Sequence, residues 1–248
     1  LGNDFTAIAG GAYHSLALKA DGSIVSWGRD NWDQVKNTPT ETGFTTIASA
    51  WSTSLALKTD GSILSWGYDF YGQVTDKPTG TGFTAISGGR FHSLAIDADG
   101  AIVSWGLDDF GVVGNTPSGN DFTAIAGGRY HSLALKTDGS IVSWGLDDYD
   151  QVGNTPGGNG FTAIAGGAWH SLALKTDGSI VSWGLDDYDQ VGNTPSGNDF
   201  TAIAGGGLHS LAINNVVPEP STLAIWSLLG LCGFGVYRRR ASARMGVS

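Results

Sequence analysis

Apolar and polar residues alternate along this chain in short bursts, each stopped by glycine. The clearest copy opens with Phe161-Thr-Ala-Ile-Ala165, halted at Gly166-Gly167. His170-Ser-Leu-Ala-Leu-Lys-Thr176 follows, then Asp177-Gly178, then Ser179-Ile-Val-Ser-Trp183 and Gly184. Runs this short, rich in branched residues and bounded by turn formers, predict strands rather than helices. Asp-Gly between two of them predicts a tight hairpin with positive φ at both central positions. A looser stretch, Gln190-Val-Gly-Asn-Thr-Pro195, can supply a short outer strand. The unit therefore reads as a small antiparallel meander of three or four strands.

The meander repeats every 39 residues. Phe5, Phe44, Phe83, Phe122, Phe161 and Phe200 mark its start, and Trp27, Trp66, Trp105, Trp144 and Trp183 its third strand. Asp-Gly pairs begin at Asp21, Asp60, Asp99, Asp138 and Asp177. The units starting at Phe122 and Phe161 differ at only four positions, which argues for recent duplication. One such sheet cannot bury both of its faces, so Leu172, Leu174, Ile180 and Trp183 need a neighbouring sheet. Radial stacking gives a propeller, and a unit of this length matches one blade. The five tryptophans are expected to be buried between blades. The first five residues, Leu1-Gly-Asn-Asp-Phe5, match Ser196-Gly-Asn-Asp-Phe200. The chain thus begins inside a repeat and is expected to be a piece of a longer product.

His-Ser-Leu-Ala-Leu-Lys-Thr-Asp-Gly-Ser-Ile-Val-Ser-Trp-Gly, with a following loop that ends Asp-Gln-Val-Gly, resembles the regulator of chromosome condensation repeat. The resemblance covers residues 1 to about 215. It implies an all-β fold, a β-propeller, here with five full repeats and a partial sixth. The family's seven blades would exceed the 248 residues present, so an incomplete ring or a shortened last blade is expected.

After Asn215 the periodicity stops. Val217-Pro-Glu-Pro-Ser221 precedes an apolar run of about 16 residues, Thr222 to Tyr237, and then Arg238, Arg239 and Arg240. The run falls slightly short of the ~20 residues that cross a bilayer as a helix. The arginines would hold that end in the cytoplasm, leaving the repeats outside. This order of parts resembles a PEP-CTERM sorting signal. The resemblance implies export, an exosortase partner that acts near Pro218-Glu219-Pro220, and release or attachment at the surface of a bacterium. The expected domains are the propeller over 1–215, a linker over 216–221, a hydrophobic helix over 222–237 and a basic tail over 238–248.

Charge narrows the partners. Arg238, Arg239, Arg240 and Arg244 hold four of the thirteen basic residues, leaving nine against 23 acidic residues and a body charge near −14. Such a surface repels phosphate backbones, so no nucleic-acid partner is expected. The one cysteine, Cys232, lies in the apolar run, so the repeats hold no disulfide.

Catalytic groups are usually single, whereas nearly every polar residue here recurs. His14, His92, His131, His170 and His209 share one blade position, with Thr53 in the sixth copy. The expectation is a ring that satisfies backbone groups at each blade's inner end, not a metal ring. Neighbouring His-Ser pairs point to opposite faces of a strand and make no nucleophile dyad. Asp147-Asp148-Tyr149-Asp150 and Asp186-Asp187-Tyr188-Asp189 could hold Ca²⁺ but lack a known calcium-loop spacing; turn-forming Asp on a solvated rim is the simpler reading. No metal, cofactor or catalytic residue is expected.

Variation on the constant frame carries the functional signal. Ahead of the histidine position stand Ala12-Tyr13, Trp51-Ser52, Arg90-Phe91, Arg129-Tyr130, Ala168-Trp169 and Gly207-Leu208. The loop after the third strand carries Trp32, Tyr71, Phe110, Tyr149 and Tyr188. In a meander both loops emerge on one face. Aromatics and Arg dominate interface energetics, so Tyr13, Trp51, Phe91, Tyr130 and Trp169, with Arg90 and Arg129, are expected around the channel mouth. Trp51 is offset by one residue and is expected to point differently. The expected function is non-enzymatic recognition of a protein or an extracellular polysaccharide. A ligand-free structural repeat is the alternative, as is an enzyme inhibitor resembling the β-lactamase inhibitor of this fold. The nucleotide exchange of a eukaryotic family member is not expected.

Overall fold

A computed structural model describes residues 4–214, and apart from one short 3₁₀ turn every regular element there is a strand. Sheet 1 holds β1 (Phe5–Gly10), β2 (His14–Lys19) and β3 (Ile24–Gly28). Sheet 2 holds β4 (Phe44–Ser49), β5 (Thr53–Lys58) and β6 (Ile63–Gly67). Sheet 3 holds β7 (Ala85–Gly88), β8 (His92–Ile96) and β9 (Ile102–Gly106). Sheet 4 holds β10 (Phe122–Gly127), β11 (His131–Lys136) and β12 (Ile141–Gly145). Sheet 5 holds β13 (Phe161–Gly166), β14 (His170–Lys175) and β15 (Ile180–Gly184). Sheet 6 has two strands, β16 (Phe200–Gly205) and β17 (Ser210–Asn214). The expected C-terminal helix and the sorting residues lie outside the described residues. Among the described residues no helix is long and apolar enough to cross a membrane.

Two local expectations are corrected. The outer strand expected at Gln190–Pro195 does not form. Asp186 Oδ1 accepts the backbone N–H groups of Val191 and Gly192, both at 2.8 Å, which curls the segment into turns instead of offering it to a ladder. Asp30, Asp69, Asp108 and Asp147 do the same in the other copies. The Asp-Gly hairpins need only one left-handed residue. Gly178 has φ +80 and Asp177 does not share it. Gly178 N–H reaches Lys175 O and Lys175 N–H reaches Ser179 O, both at 2.9 Å, closing a three-residue loop that ends in a left-handed glycine. Asp177 Oδ1 braces the turn by accepting the Ser179 N–H at 2.9 Å. The Ser179 hydroxyl, which also donates to Oδ1 at 2.6 Å, and the Ser179 N–H together hold the Asp177 carboxyl below its ordinary range.

Successive sheets pack face to face, and the second strand of one abuts the first strand of the next. Leu133, Leu135 and Ile141 of sheet 4 bury against Phe161, Ala173 and Trp183 of sheet 5. The same set recurs at each earlier junction. Each interior tryptophan also donates its indole N–H across the junction. Trp66 reaches Gln34 O, Trp105 Gln73 O, Trp144 Val112 O and Trp183 Gln151 O, at 2.9 to 3.0 Å.

Trp66, Trp105, Trp144 and Trp183 are buried as expected, but Trp27 is 51% exposed. Among the described residues no sheet packs on the outer face of sheet 1, and Phe5, Ile8 and Trp27 are exposed there. Leu211 and Ile213 of sheet 6, the counterparts of Leu16 and Leu18, are likewise exposed. Among the described residues the arc of blades is open at both ends. Trp183→Ala should therefore cost about 3–5 kcal/mol, as a core truncation does. Trp27→Ala should cost under about 1 kcal/mol, as a surface change does. Urea unfolding of the two variants measures the difference, and equal losses would contradict this packing.

The first strands of neighbouring sheets adjoin at the centre, where close approach excludes side chains. A Cβ on Gly166 would meet the backbone of Gly127 and Gly128, and one on Gly205 that of Gly166 and Gly167. The second glycine of each pair meets an imidazole instead: Gly11 abuts His14, Gly89 His92, Gly128 His131 and Gly167 His170.

That imidazole bridges blades. Nε2 of His14, His92, His131 and His170 lies 2.8 Å from Oγ of Ser54, Ser132, Ser171 and Ser210 on the following sheet. The histidines thus tie one blade to the next through a serine, rather than serving their own blade's backbone. In sheet 2 both partners change together. Thr53 replaces the histidine and Ala50 the glycine beside it, and Thr53 Oγ1 turns to Tyr68 O at 2.7 Å. Ser93, which a histidine at 53 would reach, is left buried without a partner. Thr53→His combined with Ala50→Gly should give Ser93 that partner and raise stability by about 1 kcal/mol. Thermal unfolding reads this, and a destabilised double variant would contradict the bridging role.

Candidate functional site

The loops between first and second strands bring their aromatics into one continuous arc. Ring centres are 5.6 Å apart for Tyr13 and Trp51, 5.2 Å for Trp51 and Phe91, 6.4 Å for Phe91 and Tyr130, and 5.7 Å for Tyr130 and Trp169. Trp51 stands in line between its neighbours despite its offset. Tyr13 is exposed, and the other four are half-buried. They pack on one another rather than inside the blades.

The loops after the third strands converge on the same arc, each reaching forward one blade. Tyr71 contacts Phe91 at 5.4 Å, Phe110 contacts Tyr130 at 5.3 Å and Tyr149 contacts Trp169 at 5.6 Å. Trp32 meets Tyr68 instead, at 4.9 Å. Tyr188 finds Leu208 in the next loop's aromatic position and stays exposed. These loops owe their shape to the Asp caps and, except at Phe110, where Val112 takes its place, to a buried glutamine: Gln151 Oε1 accepts the Tyr149 N–H, and Gln73 the Tyr71 N–H, both at 2.8 Å. Asp33, Phe110, Asp150 and Asp189 sit in the left-handed region at the loop tips.

Arg90 and Arg129 lie between the rings. The Arg90 guanidinium carbon is 4.2 Å from the Trp51 ring centre and 4.5 Å from Phe91, and Nη1 donates to Tyr130 Oη at 2.8 Å. The Arg129 carbon is 4.5 Å from Trp169 and 5.4 Å from Tyr130. Nε of both is buried without an acceptor. Among the described residues the three ion pairs involve lysines only, so neither arginine meets a carboxylate. Below the arc opens a central cavity of about 770 Å³, lined by glycine backbone, Tyr13, Trp51, Arg90, Arg129 and His209.

Tyr68 and Phe70 escaped the sequence reading and belong here. Tyr68 touches Phe70, Tyr71 and Phe91, and burial beside Tyr71 raises its hydroxyl pKa. Both residues stand where the three following copies carry Leu and Asp and the first carries Arg29 and Asn31, a departure visible in the aligned repeats.

Four of the five layer histidines, His14, His92, His131 and His170, are buried, and only His209 is exposed. His131 Nε2 does sit beside Ser171 Oγ across a blade junction, but both residues are fully buried. Burial lowers the pKa of His92 to about 4 and of His131 to about 3. In the acidic loops one oxygen of Asp147 and of Asp186 is committed to two backbone N–H groups. Among the described residues no three His, Cys, Asp or Glu converge on one point.

Comparison with known proteins matches these features. The profile of the regulator of chromosome condensation (RCC1) repeat matches residues 5–31, 44–73, 83–112, 122–151 and 161–190. That of the PEP-CTERM protein-sorting motif matches 216–241. No curated protein sequence matches the chain. Among solved structures, the ectodomain of the Physcomitrella patens receptor kinase CR4 is 20% identical with a TM-score of 0.72, over 87% of this chain and 60% of that one. Prp20p from Saccharomyces cerevisiae is 22% identical with a TM-score of 0.72, over 90% of this chain and 72% of that one. Human WBSCR16 is 18% identical with a TM-score of 0.70, over 87% of this chain and 75% of that one. At these identities the likeness is one of fold, and the chain spans 60% of the length of the receptor ectodomain.

Proposed function

The chain belongs to the RCC1 repeat family, and from that premise we propose that it is a non-enzymatic recognition protein of the bacterial cell surface. Its ligand is a protein or an extracellular polysaccharide, held on the arc formed by Tyr13, Trp51, Phe91, Tyr130 and Trp169. The PEP-CTERM motif points to export, surface sorting and recognition by an exosortase. Under this reading the apolar run anchors the product in the membrane until cleavage near Pro218-Glu219-Pro220 removes Arg238, Arg239 and Arg240.

One observation carries the proposal. The two most alike repeats differ at four positions, and two of these, Arg129/Ala168 and Tyr130/Trp169, fall in the arc. Duplicated blades that keep their frame and change their rim are diversifying a surface. Yeast Prp20p, studied for its binding to Gsp1p and histones, shows the fold in use for recognition; its partners are not carried over.

Co-sedimentation of the full chain with the extracellular polysaccharide and secreted protein of its host tests this. Tyr130→Ala and Trp169→Ala should each weaken retention by about 2 kcal/mol or more, as interface anchors do. Equal retention of wild type and variants, or none, would leave a space-filling structural repeat as the better account. Mass spectrometry of the product from an exosortase-bearing host tests the sorting step: a mature chain that still carries residues 238–248 would refute cleavage.

A further inference from the structure

We infer that the arc is built for a polyanionic ligand, specifically a carboxylate-bearing polysaccharide, gripped by Arg90 and Arg129 at the channel mouth. The inference rests on the arc being a binding surface and names the chemistry it selects.

The first ground is local charge. The body of the protein is strongly acidic, yet the central cavity below the arc is lined by Arg90, Arg129 and His209 without one carboxylate. The acidic body opposes the approach of a polyanion everywhere else, and the carboxylate-free mouth is where the two guanidinium groups reverse that repulsion locally. The second ground is the state of the two cations. Most surface arginines are solvated or ion-paired. These two are stacked on rings, have a buried and unpartnered Nε, and meet no carboxylate among the described residues. Stacking fixes the guanidinium plane, so little side-chain entropy remains to be lost when an oxyanion docks. Arginine's planar donor fork matches a carboxylate.

The placement of the two cations favours a glycan over a folded acidic protein. Arg90 and Arg129 are equivalent residues on adjacent blades and flank one ring, with guanidinium carbons 5.6 and 5.4 Å from the Tyr130 centre. Trp51 and Trp169 close the strip on either side. The cation is present on these two blades only, while the aromatic recurs on five; two guanidinium groups one blade apart with a ring between them match a polymer that alternates an anionic group with a flat apolar ring face.

The test titrates the full chain with sodium polygalacturonate, neutral dextran and poly-L-glutamate. Polygalacturonate should bind best, with affinity falling as NaCl rises. Arg90→Gln and Arg129→Gln should each weaken it by about tenfold. Lys175→Gln, the same charge change at the far end of a strand, should leave binding unchanged, and matched thermal unfolding establishes that the variants are folded. Equal binding by poly-L-glutamate would overturn the glycan assignment. Binding to dextran that Trp169→Ala abolishes and the arginine variants keep would overturn the anionic assignment and leave the arc a binding surface. No binding to any probe would overturn the inference.

Discussion

Gly128→Ala should be among the most damaging single-atom additions to this protein, costing about 1–3 kcal/mol from overpacking alone. The new Cβ would overlap the His131 imidazole. That ring cannot move aside without leaving Ser171, whose hydroxyl is fully buried and bonded to it at 2.8 Å. Losing the bond adds about 1–3 kcal/mol for the stranded hydroxyl. Backbone strain plays no part, because Gly128 does not adopt a left-handed conformation. Sheet 2 supplies the rescue. Ala50 and Thr53 occupy the same two positions and are both buried. Gly128→Ala with His131→Thr should therefore be more stable than Gly128→Ala alone. A double-mutant cycle in urea would show a favourable coupling of about 1 kcal/mol or more between the two positions. Simple additivity would mean that the glycine is there for another reason.

Acid should unfold the propeller earlier than its carboxylates demand. His92 is fully buried, and burial pushes its pKa down to about 4; His131, pushed down by burial first and then by neighbouring His92 and His170, goes to about 3. His14 and His170 are lowered as well, again by burial. An unfolded chain takes up these protons near its ordinary histidine pKa of about 6.5. Below that value the unfolded state therefore holds more protons than the folded one, and stability rises with pH across the interval. The histidine contribution is complete above about pH 6.5 and is lost as pH falls toward 4. For His92 alone this amounts to about 3 kcal/mol. Exposed carboxylates such as Asp177, also lowered, lose their contribution only at more acid pH. Unfolding free energy measured from pH 8 to 4 should fall steeply below about 6.5, and the Gly128→Ala, His131→Thr variant should show a shallower slope. A flat profile down to pH 5 would contradict the buried, neutral histidines.

Sequence period and turn chemistry made the strands legible, because both are local. Phe161, His170, Asp177 and Trp183 each announce an element within their own repeat. What lay between repeats was not legible. The histidine's partner is a serine in the following copy, 40 residues on, and nothing local marks that pairing. The joint exchange to Ala50 and Thr53 was the available sign of it. Trp27 copies the buried tryptophans residue for residue, and only its place at the open end of the arc exposes it. The outer strand failed for a local reason that was missed: a short Asp side chain competes with the ladder for backbone N–H groups. For the arc, Tyr13, Phe91, Tyr130 and Trp169 share one repeat position, so their common level was legible. Trp51 came into line through packing that register does not encode, and Tyr68 and Phe70 were passed over because they break the pattern of their loop.

Side-chain footprinting of the full chain, with and without the extracellular polysaccharide and secreted protein of its host, bears most directly on the recognition role. Oxidative labelling of Tyr13, Tyr130 and Trp169 should fall when ligand is present, while labelling of Trp27, exposed at the open end of the first sheet, should not change. Protection confined to Trp27, or no protection anywhere on the arc, would contradict the account.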